Sequence, residues 1–259
     1  MPRELDTTRH DVRVEAWRNN VSDTLTQALE QSERIGRVFD PGADFWQDFY
    51  AHDPNGADRL RVFDAALASI GARGRWLDAG CGIGVMVRHF RAAGLRVWGI
   101  DMAAQLLDEA QRVTDLPLVA DARRYDGEHL VRAPVERLPY GDAQFDGVYS
   151  SSVLEYVADI GLALTELGRV VRTGGHLVFS LPNAFSVSRI AHALRGRPDR
   201  YFEMVPRWAY WRWEIVRELR RAGWDAQRFS YFGETRRLRG RIAKQPWGAF
   251  FVLVVARRV

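Results

Sequence analysis

Trp76-Leu77-Asp78-Ala79-Gly80-Cys81-Gly82-Ile83-Gly84 is a short apolar run ending in an acid, followed by three glycines at alternate positions. Beyond it Val85, Val87, Phe90 and Leu95 recur among Arg88, His89 and Arg91, which is a helical pattern. The order strand, tight turn, helix opens an α/β fold. Glycine belongs where φ must be positive or where a ligand has to touch bare backbone. The N-terminus of the following helix offers unpaired N–H groups and a partial positive charge. The stretch therefore reads as a cradle for a small molecule at the carboxyl end of a first parallel strand. A dinucleotide fingerprint would place its third glycine at position 85, which is Val85. Asp78, beside the turn, repels a pyrophosphate and suits a ligand that carries an ammonium group.

The string Leu-Asp-Ala-Gly-Cys-Gly-Ile-Gly over residues 77–84 resembles the first motif of the class I S-adenosylmethionine (SAM) methyltransferases. Arg96 to Asp101 is a second strand ending in an acid, and Asp101 lies 21 residues beyond Gly80, placed to accept both hydroxyls of a ribose. His129 to Glu136 reads as the third strand, in preference to Leu118 to Ala122, because it runs straight into Arg137-Leu138-Pro139-Tyr140 and Phe145-Asp146 in the family's order. Leu154-Glu155-Tyr156-Val157 is similar to the Leu-Glu-His-Val of the ubiquinone-biosynthesis O-methyltransferases, with Tyr156 in place of histidine. The resemblance covers roughly residues 57–182 and 213–256. It implies a Rossmann-like seven-stranded methyltransferase sheet, mostly parallel with an antiparallel last strand, plus N-terminal helices and a lid insert.

Composition sets the outer bounds. The 259 residues carry a formal charge of +4 from 37 basic and 33 acidic side chains, too mild a surplus to demand nucleic acid. Arginines are frequent between Arg189 and Arg241, a basic segment that suits an anionic acceptor, an acidic carrier protein or peripheral contact with a membrane surface. No apolar run approaches the ~20 residues that span a bilayer, and the charged opening Met1-Pro-Arg-Glu-Leu-Asp is unlike a secretory signal peptide. Cys81 is the single cysteine, so no intrachain disulfide and no cysteine-based zinc site forms. A cytoplasmic setting is expected. Oligomeric state is left open.

Along the chain, residues 1–56 read as a helical cap segment with an aromatic cluster at Phe45-Trp46-Gln47-Asp48-Phe49-Tyr50, and residues 57–259 as the SAM-binding domain. An amphipathic helix covers 57–70. Another runs from Ile160 to Val171 and stops at Thr173-Gly174-Gly175. Residues 184–212, aromatic and arginine-rich, interrupt the α/β alternation and are expected to form the acceptor-side lid. Trp224 to Phe232 and Phe250 to Ala256 close the sheet.

The resemblance assigns the cofactor-binding role to Asp78, Ala79, Gly80, Cys81 and Gly82, to Asp101 and Met102 for the ribose and adenine, to Val135, and to Ser151 near the methionine end. The family carries an aspartate two residues before Glu136, and here that position is Pro134, so the adenine contact falls to the Ala133–Glu136 segment or to Asp121. A neutral nucleophile needs a general base, worth about 10²–10⁴-fold. His192 in the lid, Glu155 and Tyr156 are the candidates, whereas a carboxylate acceptor needs none. No metal site is expected. The implied activity is methyl transfer from SAM to a small-molecule acceptor, by O-methylation ahead of N- or C-methylation, with an anionic or lipid-linked acceptor as one form and a non-catalytic SAM-binding module as the distant alternative. No motif for methylating a base amino group of nucleic acid follows the fourth strand.

Overall fold

A computed structural model describes residues 8–187, 190, 209–233 and 245–259. Three helices precede the sheet: α1 (Thr8–Phe39), α2 (Ala43–His52) and α3 (Pro54–Ser69). The first is a 32-residue rod whose inward stripe at Ala28, Ser32, Gly36 and Phe39 keeps helical spacing. α3 starts three residues earlier than the sequence pattern suggests, because Asp53 caps it by accepting from the Asn55 N–H at 2.8 Å and Pro54 fits its first turn. The division expected at 56/57 thus falls inside the first turn of α3.

The remaining elements are β1 (Arg75–Ala79), α4 (Val85–Ala92), β2 (Arg96–Asp101), α5 (Ala104–Thr114), β3 (Leu118–Val119), β4 (Leu130–Arg132), β5 (Phe145–Ser151), α6 (Ile160–Val170), β6 (Val171–Pro182), α7 (Arg212–Arg221), β7 (Trp224–Phe232) and β8 (Phe251–Arg258). The sheet order is β3-β4-β2-β1-β5-β6-β8-β7, parallel from β3 to β6, with β8 antiparallel to both of its neighbours. It has eight strands where seven were expected, since both stretches that competed for the third strand form one. Leu118 and Val119 pair with Leu130 and Val131 at the edge, and β4 alone reaches β2. The strand stops at Arg132. Pro134 has no N–H to continue the ladder, and its carbonyl instead accepts from Arg137 in a turn.

Alternate side chains on each strand feed two cores. Leu77, Ile100, Val148 and Phe179 pack with α6 and α7 on one face. Trp76, Val97, Tyr149 and Val178 pack with α3, α4 and α5 on the other. The strand order reverses at β1, between β2 and β5, which places a ligand crevice at their carboxyl ends. α6 ends at Val170, ahead of the glycine pair expected to stop it, because Val171 is already extended and begins β6. Among the described residues no helix is long and apolar enough to cross a membrane.

Candidate functional site

The crevice is built on the glycine turn. The N–H groups of Gly80 and Cys81 both donate to the Ile100 carbonyl at 2.8 Å, and the Gly82 N–H donates to Asp101 Oδ2 at 2.8 Å. Asp101 Oδ1 accepts from the Ala103 N–H at 2.9 Å. The tip of β2 therefore clamps the turn after β1, and Asp101 faces the cleft while already fixed in orientation. Gly80 has φ +87°, and a Cβ there would lie 2.1 Å from Val153 Cγ2. The position excludes any side chain on both counts. At Gly82 a Cβ would meet nothing, so its backbone stands bare to the cleft.

Asp78 and Tyr149 are register partners on β1 and β5, so their side chains leave the sheet on the same face. Asp78 is only 2% exposed, and burial holds its carboxyl well above the usual carboxylate range, opposed by the Tyr149 hydroxyl and reinforced by Asp101. Burial also raises Asp101, against the pull of the backbone N–H groups that it accepts from. The Cys81 thiol is pushed up by burial and by the two neighbouring carboxylates. A buried acid without a cation is costly, and it becomes favourable when a ligand brings one.

A buried cation lines the same cleft. Arg59 on α3 donates through one terminal nitrogen to Ser151 Oγ at 2.8 Å and Ser152 Oγ at 2.7 Å. Its guanidinium lies 5.8 Å from the Phe49 ring centroid and 5.1 Å from that of Phe251, and its Nε is buried with no partner among the described residues. Ser152 takes the strained φ of +57°, held by its N–H donating to Ser180 Oγ. The Tyr50 hydroxyl responds to both groups: burial raises its pKa, Arg59 lowers it and Asp78 raises it.

The opposite wall comes from α1 and α2. Ser32, Ile35, Gly36, Phe39, Trp46 and Tyr50 line it. Ser32 donates to Glu136 Oε2 at 2.9 Å, Gln31 Nε2 to the Tyr156 carbonyl at 3.2 Å, and Arg132 pairs with Glu33 at 2.7 Å. Phe39 meets Tyr156 edge-on with centroids 5.2 Å apart. A Cβ on Gly36 would sit 2.7 Å from the Met102 carbonyl oxygen, so α1 rests directly on the main chain after β2.

Of the cofactor-binding residues expected from sequence, Asp78, Gly80, Cys81, Gly82, Asp101, Met102, Val135 and Ser151 all line this cleft. Ala79 does not: its side chain is in the core and its carbonyl accepts from Ser150 Oγ at 2.7 Å. Ala133 and Val135 line the cleft, whereas Asp121 caps a short turn through Arg123 and pairs with Arg124 at the surface. Tyr156 lines the cleft. Glu155 is fully buried outside the lining and bears on Tyr210, so it is not placed as a base. His192 lies outside the described residues, as does most of the expected lid. Among the described residues no group of three or more His, Cys, Asp or Glu could hold a metal.

Arg59 and Tyr50 were not among the expected site residues; the neighbouring arginine of the helix, Arg61, pairs with Asp58 at the surface. The signal was available. The buried stripe of α3 is Gly56, Arg59, Phe63, Ala66 and Leu67, so Arg59 is a cation at an apolar position of the helical repeat.

Residues 77–179 match the family model described as a methyltransferase domain. The chain is 36% identical over 142 residues to the malonyl-[acyl-carrier protein] O-methyltransferase of Enterobacter lignolyticus (strain SCF1), covering 54% of this chain and 52% of that protein. With the protein of the same description from Pseudescherichia vulneris it shares 34% identity over 160 residues, covering 61% and 59%. The match thus spans little more than half the length of these relatives. Its fold resembles that of magnesium protoporphyrin IX methyltransferase from Synechocystis PCC 6803 with bound SAH, at TM-score 0.65 and 18% identity, covering 87% of this chain and 98% of that one.

Proposed function

We propose that this chain, whose residues 77–179 form a SAM-dependent methyltransferase domain, transfers the methyl group of SAM to a carboxylate oxygen of a small acyl thioester. The observation that carries the reading is the pairing of a buried acid and a buried cation in one cleft. Asp78 and Arg59 complement the ammonium and carboxylate of an amino acid, and Asp101 on the next strand complements a ribose. The orphaned Arg59 Nε, the bare Gly82 backbone and the uncompensated Asp78 carboxyl fit such a ligand. Ala133, Val135 and Met102 supply an apolar slot for the adenine.

SAM supplies a methyl group on a positively charged sulfonium, open to direct displacement. The chain's own residues hold the reactants in line and exclude water, which is worth several kcal/mol in such reactions. An acceptor carboxylate oxygen forms the new bond to the methyl carbon, the carbon–sulfur bond breaks, and its electron pair stays on sulfur. No proton moves. That balance suits the described lining, where Asp101 is held by two backbone N–H groups and burial raises the Tyr50 phenol. The relatives' names supply the acceptor class: a malonyl group borne on a carrier protein. We take residues 184–212 as the insert over that acceptor and the cytoplasm as the setting.

The test is methyl transfer from labelled SAM to a malonyl thioester, with its methyl ester as the blocked control. Label should enter the free carboxylate substrate and not the ester. Tight SAM binding without transfer to any carboxylate thioester would overturn the acceptor, and binding of NADH without SAM would overturn the whole reading.

A further inference from the structure

A second surface is left unused by the cofactor cleft. α7 buries Ile215 and Leu219 against the sheet. Its outward face, formed by Arg212, Trp213, Val216, Arg217, Arg220 and Arg221, lines a shallow open groove. Trp213 is 60% exposed, with the Arg217 guanidinium 5.1 Å from its ring centroid. Arg212 stacks 4.5 Å from the centroid of Phe229. The two acids of the helix are engaged: Glu214 accepts from the Trp211 N–H at 2.7 Å, and Glu218 pairs with Arg217 at 2.8 Å and Arg221 at 3.1 Å. The Glu218 side chain is 15% exposed against 66% for Arg221, so the solvent sees mainly the cations. An exposed indole among guanidinium groups has the composition of an interface hot spot.

Its position matters as much as its charge. Trp211, just before α7, lies 6.1 Å from the Phe185 ring, and Tyr210 bridges to Asn183 directly after β6. The N-terminal end of α7 therefore sits at the same end of the sheet as Ser151 and Ser152 in the cleft. From there the arginine face runs down the flank for about 15 Å, the length of a ten-residue helix.

We propose that this face docks an acidic carrier protein that delivers the methyl acceptor as a tethered thioester, an inference that rests on the acceptor reading above. Charge complementarity selects the occupant. An arginine-rich flank attracts an acidic helix, raises the encounter rate and leaves the tethered group free to reach the adjacent cleft. A membrane surface of anionic lipid is the competing occupant and is decided by the same experiment.

The triple variant R217E/R220E/R221E and the single variant W213A are compared with wild type on two acceptors carrying the same acyl group, malonyl-acyl carrier protein and malonyl-N-acetylcysteamine. Binding of the unacylated carrier protein and of phosphatidylglycerol vesicles is titrated in parallel. The triple variant should lose about tenfold or more in kcat/KM on the protein-borne acceptor, with a flatter salt dependence, while the small thioester is turned over within about twofold of wild type. Equal losses on both acceptors, or no loss on either, overturn the docking surface. If wild type methylates neither acceptor, the acceptor reading has failed, and carrier binding that the triple variant abolishes still supports the docking surface. Loss of vesicle binding with unchanged carrier binding assigns the face to a membrane and overturns the proposal.

Discussion

Asp78→Asn separates two opposed consequences of one buried carboxyl. In the unfolded chain this group gives up its proton near pH ~3.9. In the fold, where it is 2% exposed, burial makes it hold the proton to higher pH. The native state therefore binds more protons over that interval. The carboxyl's contribution to stability is intact below the unfolded value and is lost as pH rises through the folded one. Asparagine keeps the shape and removes the charge, so the variant should unfold at a higher temperature than wild type at neutral pH. The gap should shrink toward acid. Ligand acts in the opposite direction. A hydrogen bond to a charged group contributes about 1.5–3 kcal/mol, which makes SAM binding about 10- to 150-fold weaker in the variant. With SAM at a hundred times the wild-type dissociation constant, wild type gains about 2.7 kcal/mol, and a variant binding 10- to 100-fold more weakly gains about 1.4 to 0.4 kcal/mol. Calorimetric titration and thermal unfolding across pH, with and without SAM, measure both effects. SAM affinity within threefold of wild type would refute the ammonium contact, and a less stable apo variant at neutral pH would refute the desolvation argument.

Arg59→Met should weaken SAM binding at least tenfold in calorimetric titration and leave Ser151 and Ser152 without their shared donor; Arg59→Lys should recover only part, since an ammonium does not reproduce a planar guanidinium between Phe49 and Phe251. Gly80→Ala meets Val153 Cγ2 and a φ of +87° together, for a loss of about 1–3 kcal/mol in urea unfolding; adding Val153→Ala should relieve the clash but not the backbone strain. Cys81, pushed up by burial and by two carboxylates, should react with iodoacetamide only slowly at pH 8, faster as pH climbs, and more slowly still under SAH; rapid labelling at pH 7 would contradict the burial of the thiol.

The glycine-turn half of the cleft is legible in sequence because local backbone rules dictate it. Gly80 and Gly84 take positive φ, Asp101 falls at the tip of the next strand, and both follow from short-range spacing. Trp76 and Leu77 are both buried, and strand alternation sends them to opposite faces of the sheet. The roof is less legible because its contacts are remote in sequence: Gln31 reaches Tyr156 and Ser32 reaches Glu136, more than a hundred residues away. No periodicity encodes such a pairing. Arg59 belongs to an intermediate class, where the helix pattern places a cation inside but not the serines that receive it. Glu155 is the converse case: it is buried and outside the cleft lining while its motif neighbour Tyr156 lines the cleft, because adjacent residues in a turn need not share a surface.

Floor and roof of the cleft come from separate stretches of chain. The floor lies within the segment 77–179 that the family shares, while Ser32 to Arg59 precede it. The covering helices are accordingly free to vary independently of the floor, within the clearance that they keep to it. Gly36 sets the limit on that freedom. It meets the main chain and Cβ of Met102, which any residue but glycine would present alike, so the clearance between the two parts tolerates substitution at Met102 but not at Gly36.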